Sequence, residues 1–311
     1  MVSSSGNETV RSLLEFKAEQ KRFEIGDITV GGQPGVRPTV LIGTIFYHGH
    51  KIIVDEHRGE FRRTEAQKLI RAQEEYSERT GNPCMLDVVG ASPEAIQRHL
   101  EFAASVTKMP LLIDGTTVDV RLAGLKYVSE AGLAQRAVYN SIQPGIGDEE
   151  LHAIREAGVE SALILSYYMK DFTSRGRMKV IKELVPKAQQ AGIRNLMIDT
   201  CVLDLATLGQ ALGAVFSVKD ELGLPAGGGV HNAIHMWRGL KGKMGEHAYN
   251  LCIGSAVASA VSVGADFALY GPIEGAKHVF PPAAMMDTAF SQLLKERGEK
   301  PDQNHPRFRI G

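Results

Sequence analysis

Along most of this chain, short continuous apolar runs take turns with segments whose apolar residues recur at helical spacing. The pattern is sharpest between Pro110 and Ser141. Leu111, Leu112 and Ile113 form an unbroken apolar run ending on Asp114, as expected of a strand buried on both faces. Leu122, Leu125, Val128 and Leu133 then recur at helical spacing. They predict a helix from about Val118 to Glu130, with Gly132 as its stop. A second apolar strand follows and ends on Asn140. Two parallel strands joined by a helix are the natural reading of such a unit.

The unit recurs after Pro38. A strand over Thr39–Phe46 precedes a helix near Thr64–Thr80. A strand over Cys84–Gly90 precedes a helix opening on Ser92-Pro93-Glu94, a capping serine followed by proline at the first helical position. Further strands are expected at Ser161–Tyr167, at IRNLMID ending on Asp199, at PAGGG before Val230, and at Ala265–Gly271. Helices are expected near Met178–Ala191, Leu205–Leu222, Asn232–Val263 (broken at Gly239 to Gly245) and Ala283–Lys295. One strand plus one helix needs roughly 30 residues, and Asp114, Asn140, Asp199 and Asn232 recur at about that interval or twice it. Eight such units closing on themselves give an α/β protein of the (β/α)8 TIM-barrel type. An open doubly wound sheet is disfavoured, because no glycine-rich dinucleotide turn follows the first strand. The segment FEIGDITVGGQPGVRP reads as a hairpin plugging the barrel bottom, and KAEQKR before it as a solvated helix face. The organisation expected is a polar segment over 1–22, the barrel over 23–295 and an irregular tail over 296–311.

Composition narrows the classes. The chain has 311 residues, 43% of them hydrophobic, enough for a decorated barrel of roughly 250 residues. A net charge of −1 carries no footprint for nucleic acid or an anionic membrane. Cys84, Cys201 and Cys252 are too few and scattered for a disulfide framework, so a reducing cytoplasm is expected. The first residues lack the apolar core of a signal peptide. No uncharged apolar run reaches the roughly 18 residues of a membrane span, and LCIGSAVASAVSVGA reads as a buried helix.

Ligands of such barrels gather at the carboxyl ends of the strands, where Asp114, Asn140, Asp199 and Asn232 fall. Carboxylates only accept hydrogen bonds, whereas amides donate and accept. The set suits a flat, neutral heterocycle bearing several N–H groups, such as a reduced pterin, and suits an anionic sugar phosphate poorly. Each aspartate alone could equally be a helix cap. Gly228 and Gly229 before a helix start fit either a phosphate site or the close approach of a flat ring. His48 and His50 imitate the paired histidines of metal-dependent barrel hydrolases, but the further ligands that chemistry needs are missing. The ends of the fifth, sixth and eighth strands read Ser166-Tyr167, Asp199 and Gly271-Pro272, so no metal is expected. His231 and His235 lie one helical turn apart without the intervening glutamate of a zinc-protease helix, and capping or exposure explains them. The sixth strand does not end in lysine, which disfavours a Schiff base. Cys201 has no histidine partner and reads as a buried structural thiol.

The stretches GGQPGVRPTVLIGTIFYHGHKIIVDE, IDGTTVDVRLAGLKY, RAVYNSI, GGGVHNA and DFALYGPIEGAK resemble the H subunit of tetrahydromethanopterin S-methyltransferase. They are also similar to its soluble bacterial relatives, the methylcobamide:tetrahydrofolate methyltransferases of glycine betaine demethylation. The likeness runs from about Phe23 to Ala289. Strand ends IDG, YNS, IDT and HN are similar to those of the methyltetrahydrofolate:corrinoid methyltransferases. The resemblance implies that Asp114, Asn140, Asp199 and Asn232 hold a pterin, with Gly228 and Gly229 beside it and Asn232 and Asp199 serving catalysis at N5. It implies methyl transfer between methylcob(III)alamin and N5 of tetrahydrofolate, giving 5-methyltetrahydrofolate and cob(I)alamin. Tetrahydromethanopterin is the alternative pterin; a barrel enzyme acting on a phosphorylated small molecule and a pterin-binding module without catalysis are the rivals. Asp55-Glu-His57-Arg-Gly59 departs from the D-x-H-x-x-G loop that ligates cobalt, its glycine coming one residue early. The corrinoid is therefore expected on a separate protein, docking over an apolar rim for which Phe46, Tyr47, Tyr167 and Tyr168 are candidates, packing being their alternative role. A homodimer is expected from the same relatives.

Overall fold

A computed structural model describes residues 14–310 of the chain. An antiparallel hairpin, β1 (Arg22–Ile25) and β2 (Ile28–Gly31), comes first. β3 (Val40–Ile45) opens the barrel and is followed by a small hairpin, β4 (Ile53–Asp55) and β5 (Glu60–Phe61). Helix α1 (Arg63–Thr80) leads to β6 (Cys84–Gly90), α2 (Pro93–Val106) to β7 (Leu111–Gly115), and α3 (Val118–Glu130) to β8 (Ala137–Ile142). Then come α4 (Asp148–Glu156), β9 (Ser161–Leu165), α5 (Ser174–Gln190), β10 (Asn195–Asp199), α6 (Leu205–Leu222) and β11 (Ala226–Gly228). α7 (His231–His235), α8 (Leu240–Ser262), β12 (Phe267–Pro272) and α9 (Ala276–Leu293) are the last α-helices and strand of the described residues. The eight strands from β3 and β6 round to β12 close, all parallel, into one barrel.

Local chemistry places these boundaries. The Ser92 side chain accepts from the Ala95 N–H with Pro93 at the first helical position of α2. Asp204 and Thr207 cap α6 reciprocally, and Gly223 ends it in the left-handed region. Inside the barrel, Val40, Ile42, Met85, Leu112, Val138, Leu163, Met197, Phe267 and Leu269 form an apolar core. Ile25 and Val30 of the first hairpin belong to the same core, so the hairpin closes the amino end of the barrel as the sequence implies. Lys219 of α6 fastens that end: its ammonium is fully buried and donates to both Asp266 oxygens, at 2.7 and 2.8 Å, and to the Gly32 carbonyl at 2.9 Å.

Several expectations change. Residues Lys17–Arg22 are not a helix: Lys17 pairs with Asp220 and the Lys21 N–H bonds the Gly223 carbonyl, which draws the segment along the end of α6 into β1. β8 runs two residues past Asn140, and α4 was not foreseen from the sequence. The last helix starts at Ala276, not Ala283, and carries Pro281 and Pro282 inside it. The tail buries His305 and Pro306 around a short 3-10 turn. The break expected in the long helical region is real, with Gly245 non-helical within α8. The rest of the expected N-terminal segment, residues 1–13, lies outside the described residues. Among the described residues no helix is long and apolar enough to cross a membrane.

Candidate functional site

Strand periodicity builds the site. Successive side chains of a barrel strand point alternately into the barrel and out toward the helices. Counting two residues on from the core positions Ile42, Met85, Leu112, Val138, Leu163 and Met197 gives Thr44, Asp87, Asp114, Asn140, Leu165 and Asp199. A layer of polar side chains therefore lies directly on the apolar floor, at the carboxyl end of the strands. Asp114 stands level with Asn140 in the sheet, and Asp87 level with Thr44.

Hydrogen bonds join most of this layer. Asp87, 3% exposed, accepts from the Thr44 hydroxyl at 2.9 Å and from the Asn140 amide at 3.1 Å. Asp199, 8% exposed, accepts from the Cys201 N–H at 2.7 Å and from the Gly229 N–H. The Asn232 amide donates to the Val202 carbonyl at 3.0 Å. A side chain on Gly228 would meet the Asp199 carboxylate at 2.8 Å, and one on Gly229 would meet the Asn232 amide at 3.2 Å. These two glycines thus leave room for the two polar groups above them. Cys201 itself sits in the left-handed region, φ 57°, which aims its N–H back at Asp199.

Burial dominates the electrostatics. It pushes the Asp87 carboxyl up to about 6 against the opposing bonds from Thr44 and Asn140. Asp199 is likewise pushed up to about 6 by burial, against the Cys201 and Gly229 N–H groups and the Arg177 charge, with Asp87 adding to the rise. Burial, then the Asp87 charge, lifts Asp114 well above the usual carboxylate range, although Arg121 opposes it. Three carboxyls share one mouth, and burial shifts all of them toward the protonated form.

Two arginines brace the layer from outside the barrel. Arg121 donates to the Gly115 carbonyl at 2.9 Å and is paired with Glu150 at 2.7 Å. Arg177 donates to the Thr200 carbonyl at 2.6 Å and to the Cys201 carbonyl at 3.0 Å.

The structure thus brings Asp114, Asn140 and Asp199 into one inward-facing layer, with Asn232 beside it above Gly229. Sequence reasoning missed Asp87 and Thr44, because Asp87 lies in the middle of its apolar strand instead of at the end; the parity of Met85 and Asp87 is the signal that finds it. Phe46 is a packing residue, 2% exposed and stacked on His99 at 4.1 Å. His50 accepts from the Phe46 N–H at 3.1 Å and so donates through Nε2 to Glu274 at 2.9 Å, with Tyr47 stacked on its ring. His231 is half-buried, bonds the Leu269 carbonyl at 3.0 Å, and is held near pKa 4 by burial; His235 is exposed. Cys201 is buried, and burial pushes its thiol up to about 12. Among the described residues no group of three or more His, Cys, Asp and Glu is placed to hold a metal ion. A flank cavity of about 730 Å³ between α3 and α4, lined by Leu122, Lys126, Asp148 and His152, gathers no buried polar group. The mouth is the candidate site.

The family description "Tetrahydromethanopterin S-methyltransferase MtrH subunit" matches residues 18–301. The H subunit of tetrahydromethanopterin S-methyltransferase from Methanothermobacter thermautotrophicus is 39% identical over 96% of this chain and 100% of its own. The H subunit of the putative methyltransferase mtx from Methanosarcina barkeri is 38% identical over 94% of this chain and 98% of its own. Among solved structures, the Yersinia pestis dihydropteroate synthase with a sulfonamide drug complex shares the fold, with a TM-score of 0.63 and 14% identity over 88% of this chain and 100% of that one.

Proposed function

Because this chain belongs to the tetrahydromethanopterin S-methyltransferase MtrH subunit family, we propose that it moves a methyl group between N5 of a reduced pterin and the cobalt of a corrinoid on a separate protein. The names of the similar proteins favour tetrahydromethanopterin over the tetrahydrofolate expected from the sequence. Both carriers present the same kind of reduced ring to the protein, and the site residues address that ring.

The observation that carries the reading is the convergence of Asp87, Asp114 and Asp199 with Asn140 and Asn232 at one mouth. A reduced pterin offers an amino group and ring N–H groups, and carboxylates can only accept. In this reading Asp114 and Asp199 grip those N–H groups, and Asp87 holds Asn140 against the ring. Gly228 and Gly229 act through Asp199 and Asn232, whose side chains occupy the space the glycines leave. Asn232 faces N5, its amide able to accept from N5–H or donate to N5.

When methyl leaves the pterin, the CH3–N5 bond breaks, a CH3–Co(III) bond forms at the expense of Co(I), and N5 takes up a proton. In the opposite direction N5 attacks the methyl group, Co(I) leaves with the bonding pair, and the N5 proton is released. The buried carboxyls at the mouth are suited to hold that proton. Proton handling of this kind contributes about 10²–10⁴-fold, and alignment of two large partners can contribute roughly 7–11 kcal/mol.

The rim supports docking of the corrinoid carrier. Val54 (64% exposed), Met169 (73%), Met236 (48%) and Trp237 (37%) stand on the segments that follow barrel strands β3, β9 and β11. Exposed apolar side chains on the segments that follow the strands are what a docking face at the mouth would use. A homodimer belongs to the same proposal through the sequence resemblance.

The test is spectral. Anaerobic mixing of the protein with methylcobalamin and either tetrahydromethanopterin or tetrahydrofolate should release cob(I)alamin, faster with tetrahydromethanopterin. No cob(I)alamin with either pterin would remove the proposal.

A further inference from the structure

We infer that Arg177 is a positioning residue: its buried guanidinium locks the turn after β10 so that the Cys201 N–H meets Asp199 and Asp199 faces the mouth. The inference rests on the pterin reading only for its link to methyl transfer; the geometry stands by itself.

Arg177 is 1% exposed and lies on α5, outside the barrel wall. Its Nε donates to the Thr200 carbonyl at 2.6 Å and one terminal nitrogen to the Cys201 carbonyl at 3.0 Å. With both carbonyls turned outward, Cys201 takes its left-handed conformation and its N–H points the other way, onto Asp199 at 2.7 Å. The Thr200 N–H and hydroxyl both bond the Gly227 carbonyl, at 2.9 and 3.0 Å, so the turn is held from a second side.

The energetics are unusual. A buried guanidinium normally has a carboxylate partner, because desolvating an unpaired charge is costly. Arg121, in the matching place behind Asp114, has Glu150 at 2.7 Å. Arg177 makes no ion pair among the described residues, and its second terminal nitrogen is buried without a hydrogen-bond partner. What the guanidinium holds instead is the turn, through the Thr200 and Cys201 carbonyls. The groups acting on Asp199 are few: Asp87 opposes its ionisation, while Arg177 and the Cys201 and Gly229 N–H groups favour it. Arg177 in turn feels Cys201, Asp199 and Asp171.

The experiment follows the Asp199 carboxyl by carbon NMR in substrate-free protein, assigned with Asp199→Asn, and separately measures methyl transfer against pH. Arg177→Met, which removes charge and donors, should raise the Asp199 titration by about one unit and lower kcat/KM at least tenfold at pH 7. Arg177→Lys, which keeps the charge and loses the fork that aims the Cys201 N–H at Asp199, should raise the titration by less and still lower kcat/KM about tenfold. A folded Arg177→Met protein with an unmoved Asp199 titration overturns the inference. Where Arg177→Met fails to fold, Arg177→Lys decides: parental activity with an unmoved Asp199 titration overturns it. The NMR titration needs no turnover, so failure of the methyl-transfer proposal is seen separately, as a parent protein without activity.

Discussion

The Asn140 amide donates to the Asp87 carboxylate across 3.1 Å, tying a residue near the end of β8 to one in the middle of β6. A carboxylate offers only acceptors, so the bond fixes which way the asparagine faces. Its NH2 turns to Asp87 and its carbonyl oxygen remains available to a ligand. Thr44, bonded to the same carboxylate at 2.9 Å, holds Asp87 from the neighbouring strand β3. The first layer of the site is thus ordered before any substrate arrives.

Asp87→Ala should remove that order. A hydrogen bond to a charged group contributes about 1.5–3 kcal/mol, so affinity for the reduced pterin should fall roughly 10- to 100-fold with the barrel intact. Calorimetric titration beside a circular-dichroism melt checks this; parental affinity would separate Asp87 from the site.

The carboxyl cluster should weaken the fold as pH rises. Asp87 and Asp199 are both pushed up to about 6 by burial, whereas an unfolded aspartate titrates near about 3.9. Between those values the folded state holds more protons than the unfolded one, so stability is present at acid pH and is lost as pH rises through about 4 to 6. Asp199→Asn, neutral at every pH, should therefore melt higher than the parent at pH 7.5, by about 1–3 kcal/mol in stability, with no gain at pH 4. Equal melting shifts at the two pH values would contradict the assignment.

Neighbouring glycines should fail differently. A Cβ on Gly227 would meet the Phe267 carbonyl at 2.0 Å, a backbone atom that cannot move aside. A Cβ on Gly228 would meet the Asp199 carboxylate at 2.8 Å. Gly227→Ala should cost stability, about 1–3 kcal/mol or more from overpacking. Gly228→Ala should keep the melting temperature within a few degrees and lose at least about tenfold in kcat/KM as Asp199 is displaced. Thermal melts and steady-state rates on both proteins separate the two effects.

At the opposite end, Lys219→Met leaves Asp266 buried without its partner. Breaking a buried pair this way costs about 3–5 kcal/mol. Urea unfolding should show that loss, and adding Asp266→Leu should recover much of it, because the unpaired charge is gone.

Much of this was legible beforehand for identifiable reasons. Strands buried on both faces are continuous apolar runs, so Cys84–Gly90 and Leu111–Ile113 stand out, and Ser92-Pro93 and Gly132 mark helix ends by their backbone preferences. Prolines misled the reading of α9, since Pro281 and Pro282 signal a break that this helix absorbs. The lysines and glutamate of Lys17–Arg22 imitate a solvated helix, yet their backbone is spent on contacts with α6 that no local pattern encodes. Asp114, Asn140 and Asp199 were visible because a polar residue ends an apolar run. Asp87 was hidden inside one and needed the inward parity of Met85 to be recognised. Arg177 left no trace in the sequence, because its partners are carbonyl oxygens of a turn more than twenty residues away.

The central claim is that these acceptors grip the ring of a reduced pterin, and an affinity measurement tests it most directly. Tetrahydromethanopterin should be titrated anaerobically into the parent protein and into Asp199→Asn at pH 7. The account predicts saturable binding to the parent and at least about tenfold weaker binding to the variant, the loss of one charge-assisted bond. Equal affinity in the two proteins, or no binding to the parent, would contradict it.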